Sequence, residues 1–309
     1  MITLQHALTT YLDLRTSNSQ NIKFEEELPY VLLPDAIRMY TGPRQYSHFE
    51  MTEDEKDVSW MSYPKGTPKN LSKELIEQQP RYLSDKIRPS CMGETTDIRA
   101  FEEHNQHLDV LQYSGIKRHL IQDSEFDIFI RSFIDDSQKY DDKFKFNGEE
   151  LDGKEVRALI AKIEQEGLYV LSKKIYEQYG ITTNQEWFDN NVKNVLKDIY
   201  HQEMFENTYR YMQIDEHINK LITNHNWSQM NNLIIPEEEW LKCYENIIDR
   251  TDRDLGLLKV DVLLENGIKN ELNPEGFGEM ILNYADNHRE LLVTIQKDEL
   301  VLEENVPTL

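Results

Sequence analysis

The sequence is poor in the residues that interrupt helices and in those that crosslink chains. Among 309 residues there are only 12 glycines and 10 prolines, whereas helix-favouring residues such as Leu, Ile, Glu and Lys are abundant. Two cysteines, Cys91 and Cys243, are too few and too far apart for a disulfide framework or a structural zinc knuckle. No run of apolar residues is long enough for a membrane span or a secretory leader. These shortages predict a mostly helical cytoplasmic protein without membrane insertion.

Positive charge is also scarce. The chain carries 34 Lys and Arg residues against 57 Asp and Glu residues, which gives a formal net charge of −23. A field of this sign repels phosphate backbones, and no basic stripe with interleaved aromatic residues is present. We therefore do not expect a nucleic-acid partner, while a protein partner remains open.

The length allows two domains or one large helical domain, and no internal repeat is found. We divide the chain into a helical metal-binding, hydrolase-like domain at 1–225 and a C-terminal helical extension at 226–309. Within the first domain, prolines break the apolar periodicity of 52–96 and predict an irregular excursion. The segment LLKVDVLL in the extension fits either a strand or a buried helix.

Apolar spacing predicts several helices in the first domain. The apolar residues before Pro34 are expected to lead into a loop, and a break is expected near Gly115. The predicted helices are 2–15, 97–140, 152–180 with its C-terminal glycine, and one from an N-cap at Thr183 to about Ile214.

A few histidines and carboxylates stand at spacings that suit a metal ion. Asp35 and His48 flank one predicted loop, and His119 and Asp123 lie one helical turn apart. Each pair also has an ordinary interpretation: Asp35 as a helix N-cap, and His119 with Asp123 as a solvent-exposed pair. His6, on the first helix, carries little weight alone.

Imidazole and carboxylate together are typical zinc ligands. Two such ions, about 3.5–4 Å apart, would clamp a phosphodiester and lower the pKa of a bound water towards roughly 7. A local cationic centre would also admit a small anionic phosphoester substrate into an acidic protein.

The order of these residues resembles the zinc-dependent phospholipase C family, whose distant relatives include single-strand-specific zinc nucleases. The matching features are an early helical His, a loop with Pro34-Asp35 and His48-Phe49, and the later helix YSGIKRHLIQD, within residues 1 to 210. The resemblance implies an all-α, multi-helical fold with extra C-terminal helices and one to three zinc ions, two being expected. It also implies that Asp35 orients or deprotonates the attacking water. The zinc ligands that it implies are His6, Asp35, His48, His119, Asp123 and, as a degraded match to a later HxxxE motif, His201.

Two departures from the family pattern keep a second interpretation open. Family members place another His shortly after the Asp of HxxxD, where this chain has Glu125 and Asp127 as substitutes, and Phe205 stands where the later Glu would be. We predict a metal-dependent hydrolase of phosphodiester-type bonds. The two departures leave open whether the site is active. The alternative is a non-enzymatic interaction protein on the same scaffold with a reduced or structural metal site.

Overall fold

A computed structural model describes most of the first two thirds of the chain and part of the remainder. The described residues are mostly helical, with one small antiparallel sheet of three strands. This agrees with a largely helical fold. The described residues are 1–16, 22–41, 48, 98, 101, 108, 110–138, 143–200, 202–212 and 232–266.

The elements between Val110 and Met212 follow one another closely along the chain. The helices are α1 (Thr3–Thr16), α2 (Phe24–Thr41), α3 (Val110–Phe133), α4 (Gly153–Tyr179), α5 (Gln185–Phe188), α6 (Asn194–Ile199), α7 (Gln202–Met212) and α8 (Glu237–Asn266). A π-helix, Asp189–Lys193, joins α5 to α6, and the strands are β1 (Ile134–Gln138), β2 (Lys143–Phe146) and β3 (Glu149–Asp152).

Helix α2 continues through both of its prolines, so the loop predicted at Pro34-Asp35 is wrong. Pro29 and Pro34 each lack the backbone N–H that the helix would use. The helix is nevertheless buried on all sides over its central turns, from Leu28 to Ile37. Tertiary packing therefore keeps a helix that local sequence rules would end, and Asp35 lies within it rather than at an N-cap.

Helix α3 also runs without the break predicted near Gly115. A Cβ atom at Gly115 would lie 2.5 Å from Tyr30 Cβ and 3.0 Å from the Val31 nitrogen. The glycine therefore lets α3 pack directly on the backbone of α2, which brings together the two helices that carry Asp35 and His119.

The helix predicted to Tyr140 instead ends at Phe133, and the sheet that follows is absent from the sequence prediction. Strand β1 pairs with β2, and β2 with β3, both antiparallel. Asn147 and Gly148 join β2 to β3 with positive φ angles of 49° and 85°. Asn-Gly between short runs with alternating apolar residues is a strong hairpin signal that the prediction overlooked.

The prediction for α4 is confirmed. Asp152 is its N-cap and forms a capping box with Glu155, and Gly180 ends the helix in the left-handed conformation at φ 68°. The next helix was predicted less well. Its N-cap is Asn184 rather than Thr183, and the chain leaves helical geometry at Tyr200, so no single helix reaches Ile214.

Helix α8 contains the LLKVDVLL segment, which is therefore helical. Its aromatic residues Trp240 and Tyr244 share one hydrophobic core with Leu4 and Leu8 of α1. The proposed division at 225/226 and the excursion at 52–96 both fall outside the described residues. None of the helices described by the structure is both long and apolar enough to cross a membrane.

Candidate metal centre

Five of the six predicted ligands meet in the core. Helix α1 supplies His6, α2 supplies Asp35, and α3 supplies His119 and Asp123, while His48 follows α2 in the chain. The three histidines are fully buried, and Asp35 and Asp123 are 3% and 7% exposed. Burial excludes a solvent-exposed pair for His119 and Asp123. His201 lies outside the described residues.

The inner atoms of four of these side chains face one another. The Nε2 atoms of His48 and His119 are 3.1 Å apart. Asp123 Oδ2 lies 3.6 Å from the first and 3.5 Å from the second. Asp35 Oδ1 lies 3.4 Å from His48 Nε2.

These separations match the edges of a zinc coordination shell. Ligand atoms about 2.0–2.2 Å from a tetrahedral ion lie about 3.3–3.6 Å from one another. The two nitrogens and two carboxylate oxygens have separations of 3.1 to 3.6 Å where they face each other. His48, His119 and Asp123 thus form a donor group of the kind that zinc binds, with ligand atoms within 4.8 Å of one another, and Asp35 contacts this group through His48.

The second carboxylate oxygen of Asp123 faces a different set of groups. Asp123 Oδ1 lies 3.2 Å from His6 Nε2 and 2.8 Å from the α-amino nitrogen of Met1. Asp123 therefore touches histidine nitrogens through both of its oxygens, as a carboxylate shared by two ion positions would. His6 also groups with Asp35 and His119, since their ligand atoms lie within 4.8 Å of one another.

The outer contacts of these ligands involve residues that sequence reasoning missed. Thr3 Oγ1 donates a hydrogen bond of 2.5 Å to Asp35 Oδ2. Gln122 Oε1 lies 2.7 Å from His6 Nδ1, and its Nε2 donates to Thr10 Oγ1 at 3.0 Å. The helical spacing between Thr3, His6 and Thr10 places them on one side of α1, but only the packing of α1 on α2 and α3 shows what they contact.

The electrostatics of the cluster favour ionised carboxylates. Burial raises the pKa of Asp35, but the hydrogen bond with His48 and the nearby imidazoles outweigh it, so the pKa lies well below its ordinary value. Burial also raises the pKa of Asp123, and the Met1 amino group and His6 bring it well below its ordinary value. Both carboxylates are therefore negatively charged at neutral pH.

The imidazole of His6 is in turn held neutral. Burial and the neighbouring His119 lower the pKa of His6, despite the opposing effect of Asp123. The rings of His6 and His119 stack with their centroids 3.8 Å apart and an interplanar angle of 19°, an arrangement in which two positive charges would repel. A neutral His6 beside two carboxylates has a lone pair available for a cation.

The two substitutes suggested for the missing histidine make other contacts. Asp127 pairs with Arg131 at 3.1 Å, one turn along α3. Glu125 accepts a hydrogen bond of 2.8 Å from Arg250 of α8, which also donates to Ser124. Neither carboxylate belongs to the candidate metal groups among the described residues.

A second buried group of charges lies next to the centre on α3. Arg118, which precedes His119, forms ion pairs with Asp13 of α1 and Glu27 of α2. Ser114 donates a further hydrogen bond to Glu27 at 2.6 Å. Burial lowers the pKa of Arg118 to about 9, which leaves the guanidinium charged at neutral pH. This network joins the three helices that supply His6, Asp35 and His119.

Comparisons of the chain with protein-family models, curated proteins and solved structures find no match. The resemblance to zinc-dependent phospholipase C therefore remains a prediction from the sequence.

Proposed function

We propose that this chain is a metal-dependent hydrolase of phosphodiester-type bonds, with water activated at a His/Asp-bound zinc cluster. The observation that carries the proposal is the convergence of Nε2 atoms and carboxylate oxygens at zinc-like separations of 3.1 to 3.6 Å. A buried cluster of two carboxylates and three imidazoles is otherwise costly, because charges removed from water need a partner.

Two ion positions account for the donor atoms. His48, His119 and Asp123 Oδ2 would hold one ion, and His6 and Asp35, which group with His119, would contribute to the other. The fit is supported by His6 Nε2, a fully buried nitrogen without a hydrogen-bond partner that faces Asp123. Asp123, whose two oxygens face different histidines, would be the carboxylate shared by the two positions.

Bound zinc supplies a Lewis acid for the phosphoryl oxygens and lowers the pKa of a bound water. Thr3 donates a hydrogen bond to Asp35 Oδ2, which leaves Oδ1, the oxygen that faces His48 Nε2, for a ligand's role. A carboxylate whose pKa lies well below its ordinary value is also a weak base. We therefore favour Asp35 as a ligand that orients water over Asp35 as the group that takes its proton.

The proposal is tested by metal analysis followed by hydrolysis assays. Purified protein should hold zinc by elemental mass spectrometry, and zinc-loaded protein should cleave bis(p-nitrophenyl) phosphate, at a rate that rises with pH through about 7 as bound water ionises. Chelation should abolish the activity, and added zinc should restore it. Asp35→Asn should nearly abolish it, whereas Asp198→Asn, at an exposed helical position, should leave it unchanged.

The burial of the ligands supports a second function, that of an interaction protein with a structural metal site, and it is tested beside the first. Structural zinc sites are closed, whereas catalytic sites keep a position open to water or substrate. All five described ligands are at most 7% exposed. A protein that holds zinc but hydrolyses no phosphodiester, phosphomonoester or lipid would be an interaction protein with a structural metal site.

A further inference from the structure

The outer nitrogen of His6 is held by a short chain of buried polar contacts. His6 Nδ1 lies 2.7 Å from Gln122 Oε1, and Gln122 Nε2 lies 3.0 Å from Thr10 Oγ1. His6, Gln122 and Thr10 are all 0% exposed. Bulk solvent does not reach these side chains, and these contacts join each polar group to a partner in the protein.

The positions of these residues on two helices make the contact specific. His6 and Thr10 are four residues apart and therefore share a face of α1. One glutamine on α3 spans both, with its carbonyl oxygen towards the imidazole and its amide nitrogen towards the hydroxyl. In this orientation the Gln122 amide nitrogen points to the Thr10 hydroxyl and its carbonyl oxygen points to His6.

The observed orientation of the amide favours one tautomer of His6. An amide oxygen only accepts hydrogen bonds, so with the carbonyl oxygen of Gln122 towards His6 the contact of 2.7 Å requires a proton on Nδ1. In a neutral imidazole the other nitrogen, Nε2, then bears a lone pair. That nitrogen is the one that faces Asp123 Oδ1 at 3.2 Å.

We propose that Gln122 is a positioning residue that selects the Nδ1–H tautomer of His6 and so makes Nε2 a metal ligand, with Thr10 as its anchor. The inference rests on the proposed metal centre and assigns the outer partner of one ligand. Such partners fix ring orientation and raise ligand basicity, and their loss typically lowers metal affinity about 10–100-fold.

Two neighbouring threonines provide a matched pair of variants. Thr10→Val removes the acceptor for Gln122 while it keeps the shape of the side chain. Thr9→Val makes the same change one residue earlier, at a 0% exposed position whose hydroxyl has no hydrogen-bond partner. Gln122→Met removes the amide at similar volume, and Gln122→Glu keeps an acceptor for Nδ1.

The tautomer is measured first, in metal-free protein, by the ¹⁵N imidazole shifts of His6 in long-range proton–nitrogen NMR. Wild type, Thr9→Val and Gln122→Glu should show a protonated Nδ1. Gln122→Met and Thr10→Val should show a mixture of tautomers. A His6 of unchanged tautomer in both Gln122→Met and Thr10→Val would overturn the inference.

Zinc affinity is measured next, by competition with a chromophoric chelator. Gln122→Met should bind zinc about 10–100-fold more weakly, Thr10→Val should be weakened in the same direction, and Thr9→Val and Gln122→Glu should match wild type. If Gln122→Met does not fold, Thr10→Val against Thr9→Val decides. Wild-type protein that binds no zinc would overturn the proposed function, whereas equal zinc binding by all folded variants would overturn only the role of Gln122.

Discussion

At the scale of single residues, Asp123 contacts basic groups through both of its carboxylate oxygens. Its Oδ2 faces His48 and His119, and its Oδ1 faces His6 and the amino group of Met1. The side chain is only 7% exposed. In the proposed metal centre this residue would serve two ion positions, which a group with one acceptor oxygen could not do.

We expect Asp123→Asn to weaken zinc binding more than about 100-fold. Loss of a hydrogen-bonded partner of a ligand typically lowers metal affinity about 10–100-fold, and loss of a ligand should lower it further. The amide loses the negative charge and one of the two oxygens. Zinc competition and elemental analysis measure the change. Asp127→Asn, on the next turn of α3 and paired with Arg131, is the matched control and should bind zinc as wild type does. Equal losses in both variants would point to damage to α3 rather than to a ligand.

At the scale of elements, the contact between α2 and α3 sets the distance between Asp35 and the ligands on α3. Gly115 allows this contact, because a side chain there would meet Tyr30 and the backbone of α2. Buried ion pairs of Arg118 with Asp13 and Glu27 hold the same helices together. The centre therefore depends on one tight helix crossing.

Gly115→Ala should push the two helices apart, destabilise the fold by about 1–3 kcal/mol and weaken zinc binding. Gly180→Ala is the comparison, because Gly180 has a φ of 68° with open space around it. Backbone strain there should cost about 1–2 kcal/mol but leave zinc affinity unchanged. Urea unfolding and zinc competition measure the two effects. Zinc affinity that is unchanged by Gly115→Ala would contradict the role given to this helix contact.

At the scale of the whole molecule, the buried centre makes stability depend on pH. His6 has a pKa below its ordinary 6.5 in the folded state, so the unfolded chain takes up its proton first as the pH falls. Its contribution to stability is present above pH 6.5 and is lost as pH falls through the folded pKa. Asp35 and Asp123 also have lowered pKa values, so their contributions are present above about pH 4 and are lost below it.

The free energy of unfolding of metal-free protein should therefore decline below pH 6.5, by up to about 1.4 kcal/mol per pH unit for His6 alone. Urea titrations at half-unit steps from pH 7.5 to 4.5, with excess chelator, give the slope. His6→Gln should flatten the curve between pH 6.5 and the folded pKa, which isolates this histidine from the others. Parallel curves for wild type and His6→Gln would exclude a buried neutral His6.

The sequence by itself located α1 and α4 closely, predicted a largely helical chain, and indicated which residue types could bind a metal. Capping signals located α4 from Asp152 to Gly180, since a capping box and a terminal glycine act locally. The spacing of His119 and Asp123 predicted a shared face of one helix, because helical geometry fixes it. The Asn-Gly hairpin signal at Asn147 was also local and could have been recognised.

The tertiary structure decided what surrounds these residues. Burial alone keeps α2 helical through Pro34, and it places Asp35 inside the core rather than at an N-cap. The hydroxyl of Tyr200 reaches the Pro29 carbonyl at 2.5 Å, where the predicted long helix is interrupted. Gln122 gains its contact with His6 only because α1 and α3 pack together. Contacts between residues over a hundred positions apart leave no local pattern, since they depend on the rotation and separation of whole helices.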